Sequence, residues 1–222
     1  MELKNVTLIC LEGVDNVNSI NKAVKALQIS SRNINFGEII LIAPEKPNCY
    51  YEGITYHKID KLTWIEYNQF ILKRLNEYVN TDYCVLIQTD GFILNSYLWS
   101  NQFLKYDYIG HAFDFINCPW QIGGINPEVV DRKGVHGLNR VGNGGFSFRS
   151  KKFLIETANC PYECNGPEDV FVSNDYFDYF IDKGIKYAPV ETADLFSKDA
   201  ADDITSTFGF HGDKNLINVL MN

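Results

Sequence analysis

At 222 residues the chain has the length of one large domain, and its 45% hydrophobic and 22% charged residues are those of a globular protein. A net charge of −8 repels nucleic-acid backbones and anionic membranes, which disfavours a dedicated nucleic-acid-binding protein. Apolar runs such as Ile39–Ala43 fall far short of the roughly 20 residues of a membrane helix. Met1-Glu2-Leu3-Lys4 leads into a strand-like run without a signal-peptide pattern, so a cytoplasmic protein is expected.

The first half alternates strand and helix patterns. Val6–Leu11 is a β-branched apolar run suited to a strand buried on both faces. After Asp15-Asn16, residues Ile20, Ala23, Val24 and Leu27 recur at helical spacing, with Ser19 as the cap. Glu38–Ala43 reads as a second strand stopped by Pro44, and Ile54–Ile59 as a third. Thr63 and Glu66 form a capping-box pattern ahead of a helix through Val79. Tyr83–Ile87 is a fourth buried strand. This alternation predicts a mainly parallel sheet covered on both faces.

Beyond it, Asp107–His111 and Phe146–Arg149 read as strands around a long irregular stretch, 112–140. Stretches of that length inside a domain are usually functional. Val170–Lys183 reads as a helix entered at Pro167 and left at Gly184. Cys10 and Cys84 lie in strand-like runs as buried thiols. Cys160 and Cys164 have no second close Cys or His pair to complete a structural zinc site.

Four segments carry chemistry. Gln88-Thr89-Asp90-Gly91 follows the fourth strand directly, and ligands of open α/β sheets collect at the carboxyl ends of strands. A carboxylate there can hold a hard divalent cation, which in turn binds phosphate oxygens. Asp-Gly is equally a turn dipeptide. A phosphatase, whose first Asp would be the nucleophile, is excluded because that position is Gln88. Val141–Arg149 carries Gly142, Gly144 and Gly145 around Asn143; its glycines let backbone approach a ligand closely, or simply build a hairpin.

Gly166-Pro167-Glu168-Asp169 places two carboxylates at a helix start, where they complement the helix dipole or serve as general base and acceptor ligand. Phe208–Lys214 offers His211 as a metal ligand, Gly212 for close phosphate approach and Lys214 as a cation.

Together, IQTDGFIL (Ile87–Leu94), the Trp99–Gly110 run, VGNGGFSFRS (Val141–Ser150), PEDV (Pro167–Val170) and FGFHG (Phe208–Gly212) resemble a family of GT-A-type glycosyltransferase-like proteins long known as a domain of unknown function. The resemblance spans nearly the whole chain. It implies an α/β GT-A-like domain over 1–222, with a nucleotide-binding half (about 1–95) and an acceptor half (about 96–222). By the same resemblance Asp90 matches the last acidic position of an Asp-x-Asp-like metal signature, whose first position is Gln88 here. His211 matches a C-terminal histidine ligand, and Glu168-Asp169 resembles the acidic pair that deprotonates the acceptor in inverting galactosyltransferases.

The function expected is transfer of a sugar from a UDP-sugar to a glycan or other hydroxyl acceptor, with Mn²⁺ or Mg²⁺. Glu12, Asp15, Asp90, Asn143, Gly144, Gly145 and Lys214 are expected to bind the donor. Asp90 and His211 would hold the metal, and Asp169, with Glu168 second, would be the base. Two other readings stay open: a non-catalytic nucleotide-sugar or glycan binder, and an enzyme glycosylating modified DNA bases through a basic loop (Arg132, Lys133, Arg140).

Overall fold

The computed structural model describes residues 1–112, 141–199 and 204–212. The elements begin with β1 (Glu2–Leu11), α1 (Val17–Ser30), β2 (Asn35–Ala43), β3 (Thr55–Lys58), α2 (Trp64–Lys73) and β4 (Tyr83–Ile87). They continue with β5 (Gly91–Ile93), β6 (Tyr108–Ile109), β7 (Phe146–Ser150) and α3 (Lys151–Asn159). The last are α4 (Phe177–Asp182), α5 (Val190–Phe196), β8 (Ser197–Asp199) and β9 (Gly209–His211).

The main sheet has the order β3-β2-β1-β4-β7-β6. The four strands of the first half run parallel, with Val6 beside Tyr83 and Ile9 beside both Ile40 and Leu86. β7 and β6 extend the sheet antiparallel. This is the mainly parallel α/β domain that the sequence pattern predicts. Along β1, Val6, Leu8 and Cys10 pack towards Ile20, Val24 and Leu27 of α1, while Ile9 and Leu11 pack with Phe70 and Ile71 of α2 and Leu154 of α3. Both faces are therefore covered, which is why β1 lacks polar alternation. Each such fully buried aliphatic contributes about 1.5–3 kcal/mol.

Several local expectations are corrected. The cap of α1 is Asn16, whose Oδ1 accepts from the amides of Asn18 and Ser19; Ser19 turns its hydroxyl to Glu12. The Thr63–Glu66 capping box forms, but α2 ends at Lys73. Arg74 leaves helical φ at −126°, and a 3₁₀ turn, Leu75–Glu77, keeps both Leu75 and Val79 in the core.

The helix expected over 170–183 is interrupted. A helical turn at Glu168–Val170 widens into a π-turn over Phe171–Asp175, closed by Tyr176 N–H donating to Phe171 O. The extra residue lets Val172 and Phe177, five apart, both reach the core. The β6 strand keeps only two residues of the 107–111 run. Cys10 and Cys84 are fully buried, and burial pushes the Cys84 thiol up to about 12. Arg132, Lys133, Arg140 and Lys214 lie outside the described residues. Among the described residues no helix is long and apolar enough to cross a membrane.

Candidate active site

The strand order reverses between β1 and β4, and the chain leaves both strands at their carboxyl ends into one cleft of about 330 Å³. Such switch points are where open α/β sheets bind ligands. Glu12 and Gly13 after β1, Gln88 to Asp90 after β4, and Thr63, Trp64 and Tyr67 at the start of α2 line it. The Glu12 carboxylate is oriented before any ligand arrives, because Val14 N–H donates to Oε1 at 3.1 Å and Ser19 Oγ to Oε2 at 2.5 Å. Asp15 is not part of the lining. It is half-exposed and paired with Lys61 at 2.9 Å, whose hydrogen bond lowers its pKa.

A small second sheet, β5-β9-β8, begins directly after the cleft residue Asp90. Its register sets His211 opposite Gly91, and Gly212 N–H donates to Asp90 O at 3.0 Å. His211 Nε2 stands 3.4 Å from Asp90 Oδ1 and 3.2 Å from Gln88 Oε1. Gln88 Nε2 in turn donates to the Tyr67 hydroxyl at 3.0 Å, and burial pushes that phenol's pKa well up, keeping it a neutral hydrogen-bonding group.

Among the described residues no three His, Cys, Asp or Glu side chains converge as a complete metal cage. Asp90 and His211 nonetheless fit a divalent ion shared with a ligand. Two neighbouring ligands on an octahedral ion at about 2.1 Å stand roughly 3 Å apart, and such ions commonly take one or two protein ligands plus substrate phosphates and water.

The glycine loop lies between this pair and the acidic turn. Asn143 takes a positive φ of 35° and its Oδ1 accepts from Gly145 N–H at 3.2 Å. Gly145 O accepts from Gln88 N–H at 2.9 Å. A Cβ on Gly145 would stand 2.1 Å from His211 Nε2, and one on Gly144 1.7 Å from Glu168 Oε1, so both positions require glycine by contact. Gly145→Ala is expected to turn the His211 ring away from Asp90, with an overpacking cost of about 1–3 kcal/mol. Melting and Mn²⁺-dependent nucleotide binding check this: both should fall together.

The acidic pair divides into two environments. Asp169 is partly exposed, and its Oδ2 accepts from Gly144 N–H at 3.0 Å. Glu168 is 4% exposed and accepts at Oε1 from Arg149 Nη2 at 2.8 Å. Burial, against the pull of Arg149 and with the neighbouring Asp169 charge adding to it, holds the Glu168 carboxyl above its usual range. Asn68 on α2 accepts the Glu168 amide at 2.9 Å, tying the acidic turn to the helix that carries Tyr67.

Of the residues singled out in the sequence, Asp90, His211, Asn143, Gly144, Gly145, Glu168 and Asp169 are joined by these contacts, and Glu12 shares the cleft lining with Asp90. Tyr67, Asn68, Ser147 and Arg149 were not anticipated; the available signal was a lone arginine in the otherwise apolar, serine-alternating strand Phe146–Ser150.

Comparison with known proteins identifies the family and the fold. A family model described as "Protein of unknown function (DUF5672)" matches residues 58–211, the span carrying the residues of the site apart from those that follow β1, Glu12 and Gly13 among them. No curated protein sequence matches the chain. Among solved structures, the galactosyltransferase LgtC in complex with donor and acceptor sugar analogs aligns at a TM-score of 0.54 and 11% identity, over 92% of this chain and 86% of that one. A glycosyltransferase involved in glycosylation of the major capsid of PBCV-1 aligns at 0.53 and 11%, over 97% and 98%. At that identity the likeness establishes the fold: a mixed α/β domain of the GT-A glycosyltransferase type.

Proposed function

We propose that this chain, which belongs to the DUF5672 family of proteins of unknown function, is a glycosyltransferase that moves a sugar from a UDP-sugar to a hydroxyl acceptor with inversion. The observation that supports it is the joining of three parts: a switch-point cleft, the His211 ring beside its lining residue Asp90, and a glycine loop leading from that pair to Asp169. The reading assigns about 1–95 to a donor half and about 96–222 to an acceptor half, with His211 pairing back beside Gly91 on the donor side.

In this reading Glu12, with both oxygens already held, accepts hydrogen bonds from the nucleoside hydroxyls, and Thr89 and Asp90 face the diphosphate. Asp90 and His211 hold Mn²⁺ or Mg²⁺; when bound, the ion supplies Lewis-acid stabilisation of the leaving diphosphate. The Asn143–Gly145 loop shapes the sugar pocket, because backbone without Cβ atoms lets the ring come close. Asp169, partly exposed, takes the acceptor hydroxyl's proton. Glu168 is buried against Arg149 and is the weaker candidate.

Calorimetry with UDP and Mn²⁺ tests the donor side. Asp90→Ala should weaken binding at least about tenfold, or about 1.4 kcal/mol. Unchanged affinity in both Asp90→Ala and His211→Ala would sink the metal assignment. A panel of nucleotide sugars, followed by hydrolysis with and without Mn²⁺, separates an enzyme from a binder: a binder is stabilised by its ligand but releases no nucleotide.

A further inference from the structure

We infer that Arg149 is the positioning residue of the acceptor side, holding Asp169 and the Gly144–Gly145 loop in one closed hydrogen-bonded circuit; the inference rests on the reading of Asp169 as the base. Gly144 donates its amide to Asp169 Oδ2 at 3.0 Å, and its carbonyl accepts from Ser147 Oγ at 3.0 Å. Arg149 Nε donates to that same Ser147 Oγ at 2.9 Å, and Arg149 Nη2 donates to Glu168 Oε1 at 2.8 Å. Glu168 and Asp169 are consecutive, which closes the circuit. Both polar groups of Gly144 are thereby fixed, one from the acidic turn and one from β7.

The chemistry of each member suits this task. A serine hydroxyl can accept from arginine while donating to a carbonyl, and only a guanidinium offers Nε and Nη donors in a rigid fork. Arg149 is wholly buried, so its effect on an acceptor passes through the residues it holds.

Stability alone accounts poorly for the pair. Buried ion pairs are often matched or bettered by apolar side chains of similar volume. Among the described residues, Arg149 Nη1 and Glu168 Oε2 also lack hydrogen-bond partners while buried, which is a cost. What the pair supplies is placement. Through Gly145, which touches His211 and accepts from Gln88 N–H, the same loop links the placement of Asp169 to the metal-side pair.

Ser147→Ala is the decisive variant, because it cuts the circuit and leaves the ion pair intact. Hydrolysis of UDP-glucose or UDP-galactose with Mn²⁺, water standing in as acceptor, supplies the assay. Misplacement of a catalytic group by about 1 Å costs up to about 100-fold. Ser147→Ala should therefore lose about tenfold or more in kcat, with the donor KM within about twofold.

In an Asp169→Asn background the same substitution should cost under about twofold, since coupled residues are non-additive. Equal fractional losses in both backgrounds would overturn the positioning role, as would full turnover of Ser147→Ala beside an inactive Asp169→Asn. Full turnover of Asp169→Asn would instead overturn the base reading. Amide exchange needs no substrate: Gly144 and Gly145 should exchange faster in Ser147→Ala while β1 and β4 stay protected, and unchanged exchange at Gly144 counts against the circuit.

Discussion

Asp169→Asn should slow sugar transfer by about 10²–10⁴-fold, the usual contribution of a general base, while UDP affinity stays near that of the wild type. The split follows from location. Asp169 lies at the start of the acidic turn, bound to the glycine loop rather than to the donor cleft. An asparagine keeps the size and one acceptor oxygen, but its amide cannot accept from both Gly144 N–H at Oδ2 and Val170 N–H at Oδ1. One lost hydrogen bond costs about 0.5–1.5 kcal/mol, so melting should fall only slightly.

A purely local role at a helix start gives the reverse pattern. The dipole interaction is worth about 0.3–1 kcal/mol, and turnover would be near normal. Turnover within about threefold of wild type, well short of a base's contribution, would remove Asp169 as the base and move the test to Glu168.

The parts of this site that can be read from sequence are those encoded by local pattern. β1, β2 and β4 announce themselves because a strand buried on both faces must be a continuous apolar run, and the residues at their carboxyl ends follow directly: Glu12 and Asp90. The glycines at 144 and 145 and the acidic pair are visible as composition.

What sequence conceals is pairing. β5, β8 and β9 have three residues each, too few for any periodicity, yet they bring His211 to Asp90 across more than a hundred residues. Asp15 looks like Glu12's companion, but Lys61 holds it at the surface. Arg149 hides in the alternation of β7 because its burial makes sense only beside Glu168. Interruptions are equally silent: no residue type marks the π-turn at 171–175, which arises from where Val172 and Phe177 must point.

Arg149→Met should be the most destabilising single substitution at the site, and its cost should depend on pH. Removing one partner of a buried ion pair typically costs about 3–5 kcal/mol, against a total stability of about 5–15 kcal/mol for a domain. With Arg149 gone, Glu168 loses the group that pulls its pKa down, while burial and Asp169 still push it up. A carboxyl whose folded pKa is raised binds its proton more tightly in the folded than in the unfolded state. Its stabilising contribution is therefore complete below the unfolded value, about 4.3, and is lost as pH rises through the folded value.

Urea unfolding of Arg149→Met should accordingly show a smaller loss relative to wild type near pH 5 than near pH 8. Adding Glu168→Gln removes the titrating group, so the double variant should recover stability at the higher pH and show no such slope. An Arg149→Met loss of equal size at both pH values would mean that Glu168 does not carry the buried charge, and the ion pair would then not be what holds the acidic turn in place.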